Sequence, residues 1–132
     1  MEASIFTKIV NGEIPAYKVA EDDRYLAFLD VFPTAKGHTL VIPKQQVDYL
    51  FDLDDDLYLG LMAFAKKVAL AVEQAVPCKR IGVAVVGLEV PHAHVHLIPL
   101  NSMQDMNFAN KQQFSKAEFE DVADKIKAAY KA

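Results

Sequence analysis

Apolar positions along the chain change period several times, and each change marks an element. From Ser4 to Asn11, the residues Ile5, Phe6, Ile9 and Val10 fall on one side of a helical wheel. Ser4 suits the N-cap and Gly12 the C-terminal stop, so the spacing predicts a short helix there. Alternating and β-branched runs then predict strands over Ala16–Ala20 and Arg24–Asp30, joined by a tight turn at Glu21-Asp22-Asp23. Pro33 and Gly37 interrupt the pattern as a loop, and Thr39–Pro43 reads as a third strand. The strongest helix runs over Asp54–Val76, with Leu57, Leu61, Phe64, Val68 and Val72 recurring every three or four residues. Three aspartates open it, where the helix dipole favours them, and Pro77 closes it. Arg80–Val86 and His92–Ile98 complete five strands. Ser115 and Glu118 form a capping box before a last helix carrying Phe119, Val122, Ala123 and Ile126 on one face. Short turns join most strands, and only the long helix can serve as a crossover. The predicted class is α+β, a five-stranded and mainly antiparallel sheet with two main helices packed on one face.

Composition narrows the function. At 132 residues one domain, 1–132, is the natural count, and 52% apolar residues exclude intrinsic disorder. A net charge of −4 and a pI near 5.5 argue against a partner that is a nucleic-acid polymer. The single cysteine, Cys78, makes neither an internal disulfide nor a Cys-rich zinc site. No apolar run reaches the roughly 20 residues of a membrane span. Met1 to Thr7 shows no basic or long apolar signal region, so the expected compartment is the cytoplasm.

Four histidines are present, and three crowd into Pro91-His92-Ala93-His94-Val95-His96-Leu97-Ile98. Side chains alternate along a strand, so His92, His94 and His96 share one face, about 6.5–7 Å apart at Cα. Ala93, Val95 and Leu97 then point to the core. The face is either a polar surface, a metal site for zinc or iron, or an acid–base and nucleophilic centre. Spacing alone leaves the last two comparable.

The run His-φ-His-φ-His-φ-φ, with φ apolar, resembles the histidine triad (HIT) superfamily of nucleotide hydrolases and transferases, most closely its Hint-type branch. The resemblance covers nearly the whole chain. Ser4-Ile5-Phe6-Thr7-Lys8-Ile9-Val10-Asn11-Gly12-Glu13-Ile14-Pro15-Ala16 is similar to the family's N-terminal segment, and Glu21-Asp22-Asp23-Arg24-Tyr25-Leu26-Ala27-Phe28-Leu29-Asp30 to its first hairpin. Gly37-His38-Thr39-Leu40-Val41-Ile42-Pro43-Lys44 is similar to the next strand and includes the fourth histidine.

The resemblance implies that His94 attacks the α-phosphorus of a purine nucleotide, such as a nucleoside phosphoramidate, and forms a covalent nucleotidyl-histidine. It implies that His96 contacts the phosphate and assists the leaving group, that His92 orients the nucleophile, and that His38 joins the network. Ile5, Phe6, Ile9, Phe28, Leu29 and Val31 match apolar residues that line the base site, although each reads equally well as core. Asp30 matches an acidic residue that accepts hydrogen bonds from ribose hydroxyls. No metal and no cofactor are implied. The family commonly forms homodimers whose sheets join into ten strands, with Asp54–Val76 and Arg80–Val86 as the contact elements here.

One segment departs from the family. Many relatives carry Gly-Gln-Ser/Thr-Val before the triad, after a longer loop with an Asn, where this chain has Val86-Gly87-Leu88-Glu89-Val90-Pro91. Leu88 and Glu89 thus occupy positions that touch the phosphate and leaving group, and Glu89 is expected to read or protonate an amine leaving group. Some bacterial relatives hold structural zinc through N-terminal cysteines. Ser4 and Thr7 occupy that region here, so no such site is expected. The alternatives to a phosphoramidase are a dinucleoside polyphosphate hydrolase or nucleotidyltransferase, a nucleotide-binding regulatory protein with little activity, and a metal-dependent hydrolase.

Overall fold

The residues of one strand divide a single sheet between two different environments. In β2 (Tyr25–Leu29), Tyr25, Ala27 and Leu29 join one apolar cluster, while Leu26 and Phe28 join another on the opposite face. All five are buried, so the sheet is covered on both sides at this strand. The computed structural model describes residues 2–132; Met1, the first residue of the segment read for a signal region, lies outside them.

The remaining elements in chain order are α1 (Ile5–Val10), β1 (Lys18–Glu21), β3 (Thr39–Pro43), α2 (Asp55–Ala75), β4 (Arg80–Ala84), β5 (Val95–Leu100) and α3 (Lys116–Ala129). The strand order is β1-β2-β3-β5-β4, and every neighbouring pair is antiparallel. This is the predicted α+β sheet, with α2 and α3 as the two main helices and α1 as the short one.

α2 and α3 pack on one face. Asp54 caps α2 by accepting from Leu57 N–H at 2.8 Å, and Leu57, Leu61, Phe64, Val68 and Val72 are buried against Val41, Val95 and Leu97 of the sheet. The Ser115–Glu118 capping box forms as the sequence predicts. The two main helices share one face as expected, and the short N-terminal helix lies elsewhere. α1 packs on the other, with Phe6 and Ile9 against Leu26, Phe28, Leu40 and Ile42. Its six residues are too few to hold a helix alone, and burial of Phe6 and Ile9 supplies what propensity does not.

Element ends differ from expectation for identifiable reasons. β5 begins at Val95 rather than His92, because Ala93 N–H donates to Val47 O and His92 N–H to Val90 O instead of to a neighbouring strand. β4 stops at Ala84, opposite His96, and the chain beyond it turns at Gly87, whose φ is +74°. The first turn lies over Asp22–Arg24, with Glu21 kept in β1, because the Asp22 carboxylate accepts from Arg24 and Tyr25 N–H. Two 3₁₀ turns, Leu50–Asp52 and Met103–Met106, carry no periodic signal in the sequence. Among the described residues no helix is long and apolar enough to cross a membrane.

Candidate active site

The four histidines meet on the α1 face of the sheet. All are buried, and among the described residues no buried side-chain nitrogen or oxygen lacks a hydrogen-bond partner. Main-chain groups, whose donor or acceptor character is fixed, hold three of the four rings and so fix where their protons sit.

His92 donates Nε2–H to Pro43 O at 2.7 Å. Its Nδ1 is therefore an acceptor, and Ser4 Oγ donates to it at 2.8 Å. Ser4 is also the N-cap of α1, accepting from Thr7 N–H, so the same hydroxyl starts the helix and holds the ring. Thr7 Oγ1 lies 3.3 Å from that nitrogen and donates to Gln46. Ser4 and Thr7, the positions expected to hold no zinc, thus belong to a hydrogen-bonded anchor for His92.

His94 donates Nδ1–H to the main-chain oxygen of His92 at 2.7 Å. The orienting atom that His92 offers is its carbonyl, not its ring. In the neutral ring this tautomer puts the lone pair on Nε2, and Phe6 braces the ring edge-on at 5.0 Å between centroids.

His38 accepts at Nδ1 from Thr34 N–H at 3.0 Å, so its proton is on Nε2. That proton is donated to Nδ1 of His96 at 2.9 Å, which leaves His96 with a proton on Nε2. Asp30 Oδ2 stands 3.5 Å from the same His38 nitrogen, while Oδ1 accepts from Phe32 N–H. Gly37 sets up this entry into β3. Its φ is +90°, and a Cβ there would meet Val76 at 2.8 Å.

Burial disfavours the charged rings. It pushes His38 down from 6.5 to about 4 and His96 to about 3, against the pull of Asp30 on His38. Burial also lowers His92, against its bond to Pro43 O. The hydrogen bonds give the same result independently, because an extra proton on the His38–His96 pair would face Thr34 N–H or the partner ring's own N–H.

A cavity of about 400 Å³ opens over this cluster, within the usual range for small-molecule pockets. Ile5, Phe6, Ile9, Phe28, Leu29 and Val31 line its apolar part, and Asp30, His94 and His96 its polar part. Leu88 and Glu89 line it as well, and both are exposed. His38 and His92 do not line the cavity and lie behind His96 and His94, to which they are hydrogen-bonded. Sequence reasoning missed Phe108 and Lys111, which also line it. Phe108 lies edge-on to His96 at 4.9 Å, and Lys111 Nζ is 5.7 Å from the Phe108 ring centroid. The one available signal was an aromatic residue inside the polar stretch Asn107–Gln113.

With His94 neutral, the arrangement sets its Nε2 lone pair beside an imidazole N–H donor, the centroids of His94 and His96 being 5.0 Å apart. That is a nucleophile next to a group able to bind an oxyanion. Asp30, His38 and His96 also place three ligand atoms within 4.8 Å of one another. A cation at His38 Nε2 would drive its proton to Nδ1, against Thr34 N–H.

The HIT domain family matches residues 11–103. The chain belongs to the HIT family. A HIT-like protein of Borreliella burgdorferi is 36% identical over 131 residues, covering 92% of this chain and 94% of that one. Adenosine 5'-monophosphoramidase hnt1 of Schizosaccharomyces pombe is 41% identical over 97 residues, 72% of each chain. The crystal structure of a Hit-like protein from Bartonella henselae superposes with a TM-score of 0.84 at 35% identity, covering 96% of this chain and 95% of that one. The HIT match ends before Phe108 and Lys111, which follow it by several residues.

Proposed function

We propose that this HIT protein is a nucleotide hydrolase that cleaves purine nucleoside phosphoramidates through a nucleotidyl intermediate on His94. The observation that carries the reading is the bond from His94 Nδ1–H to His92 O, which commits the Nε2 lone pair to the cavity. In the first step Nε2 bonds to the α-phosphorus, and the phosphorus–nitrogen bond breaks with its electron pair on the amine. The amine takes a proton from solvent, with exposed Glu89 at the rim as the relay. His96 Nε2–H donates to a non-bridging oxygen throughout, held in that tautomer by His38. Water then attacks phosphorus, the bond to Nε2 breaks, and the water proton returns to solvent. Asp30 accepts from the ribose hydroxyls, and the apolar part of the cavity takes the base.

Similarity to a named adenosine 5'-monophosphoramidase supports the substrate class. The Thr34 bond to His38 supports a metal-independent reaction, because it keeps a proton on the nitrogen a cation would need. For the assembly we propose a homodimer. β4 is an edge strand of the sheet, and Val83 on it, with Leu59 and Leu70 on α2, is an exposed apolar residue.

The test is to incubate the protein with α-labelled adenosine phosphoramidate, quench in mild alkali and map the label. Label on His94 that disappears in His94→Ala is the expected result. Turnover without label on His94, or turnover abolished by chelator and restored by zinc, would overturn the covalent route.

A further inference from the structure

The cavity's charge is ill matched to an anionic substrate. Asp30 and Glu89 contribute two carboxylates to its lining, the Thr34–His38–His96 hydrogen bonds keep that pair neutral, and burial disfavours a charge on His92. Among the described lining residues, one cation stands against this: Lys111. A phosphoryl group entering the site already carries negative charge, and transfer spreads that charge over its equatorial oxygens.

The segment that carries the exposed Lys111 is anchored. Lys111 follows the 3₁₀ turn Met103–Met106 in a segment tied twice to the loop before His38. Thr34 Oγ1–H donates to Asp105 O at 2.6 Å, and Gln112 N–H donates to Pro33 O at 2.7 Å. Between the ties Phe108 covers the edge of His96, and Lys111 sits against Phe108. Among the described residues no carboxylate forms an ion pair with Lys111. Lys111, Phe108 and His96 line the cavity together, with Phe108 against the His96 ring and the Lys111 ammonium near Phe108, which puts the charge on the His96 side of the cavity.

We propose that Lys111 binds the 5'-phosphoryl group of the nucleotide and makes the site selective for phosphorylated over bare nucleosides. This rests on the reading of the chain as a nucleotide hydrolase and assigns the charge that this reading needs. A lysine serves here as a point charge for phosphate, and Phe108 limits where the ammonium can go. Leu88 and Glu89, at the rim, offer no side-chain cation.

The experiment compares calorimetric binding of AMP and of adenosine to the wild type, Lys111→Met and Lys111→Arg, at low and moderate salt. Lys111→Met is expected to weaken AMP binding about tenfold and to flatten its salt dependence, with adenosine binding unchanged. Lys111→Arg is expected to restore AMP binding. AMP affinity unchanged in Lys111→Met, or an equal loss for AMP and adenosine, would overturn the assignment while leaving the hydrolase reading intact. A wild type that binds neither ligand would overturn both.

Discussion

The two faces of the sheet differ in the size of their apolar clusters, the α2/α3 face holding the larger, and they handle polar groups in opposite ways. On the α2/α3 face, Val41, Val95 and Leu97 meet Leu61, Val68 and Val72, and the packing is side chain against side chain. On the α1 face, four buried histidines interrupt the apolar surface, and each is held by at least one hydrogen bond. The first face draws its stability from close packing and is indifferent to pH. The second draws its order from directed hydrogen bonds and depends on protonation state. A one-residue step along β2 or β5 crosses from one regime to the other, so any slip in strand register would exchange core for site.

Four changes test that division, in descending order of expected effect. His94→Ala should lower turnover of adenosine phosphoramidate by at least about 10³-fold with the urea midpoint nearly unchanged. A comparable loss of stability would mean that the histidine face also holds up the fold. Leu61→Ala, at a fully buried position of α2, should destabilise by about 2–5 kcal/mol in urea unfolding. Turnover per folded molecule should stay level, and a drop would show that the packed face tunes the chemistry.

Acid comes third. His38, His92 and His96 are all held below their ordinary value of 6.5 by burial, so in acid the unfolded chain binds protons that the folded chain refuses. Stability is then complete above about pH 6.5 and falls as pH drops towards 4, by up to about 1.4 kcal/mol per histidine per pH unit. Urea midpoints measured between pH 7 and 4.5 would show it, and a flat profile would contradict a neutral cluster. Last, Ser115→Ala should cost about 1 kcal/mol through loss of the α3 cap, without effect on nucleotide binding.

The sequence carried the elements whose signals are local. Asp54 and Ser115 announce their helices because a cap bonds within three residues. The triad's common face was legible because alternation persists even where His92 and His94 leave the ladder. What holds those rings was not legible. Pro43 O, Thr34 N–H and His92 O are main-chain groups that every residue type offers, brought into place by tertiary contacts. Ser4 looked only like a helix cap, and its second bond, to a histidine 88 positions away, has no local signature. Phe108 and Lys111 lie in an irregular stretch where no period singles out an inward-facing residue.

The bond between Thr34 N–H and His38 has a practical consequence for mutagenesis. A side-chain scan can delete the Thr34 hydroxyl but leaves the amide at position 34 in place, unless proline is introduced. The same holds for the carbonyls of Pro43 and His92. A library of point variants would therefore report the four histidines and stay silent on the atoms that select their tautomers. Replacing the amide at position 34 by an ester, which removes the N–H and keeps the side chain, would address that layer directly.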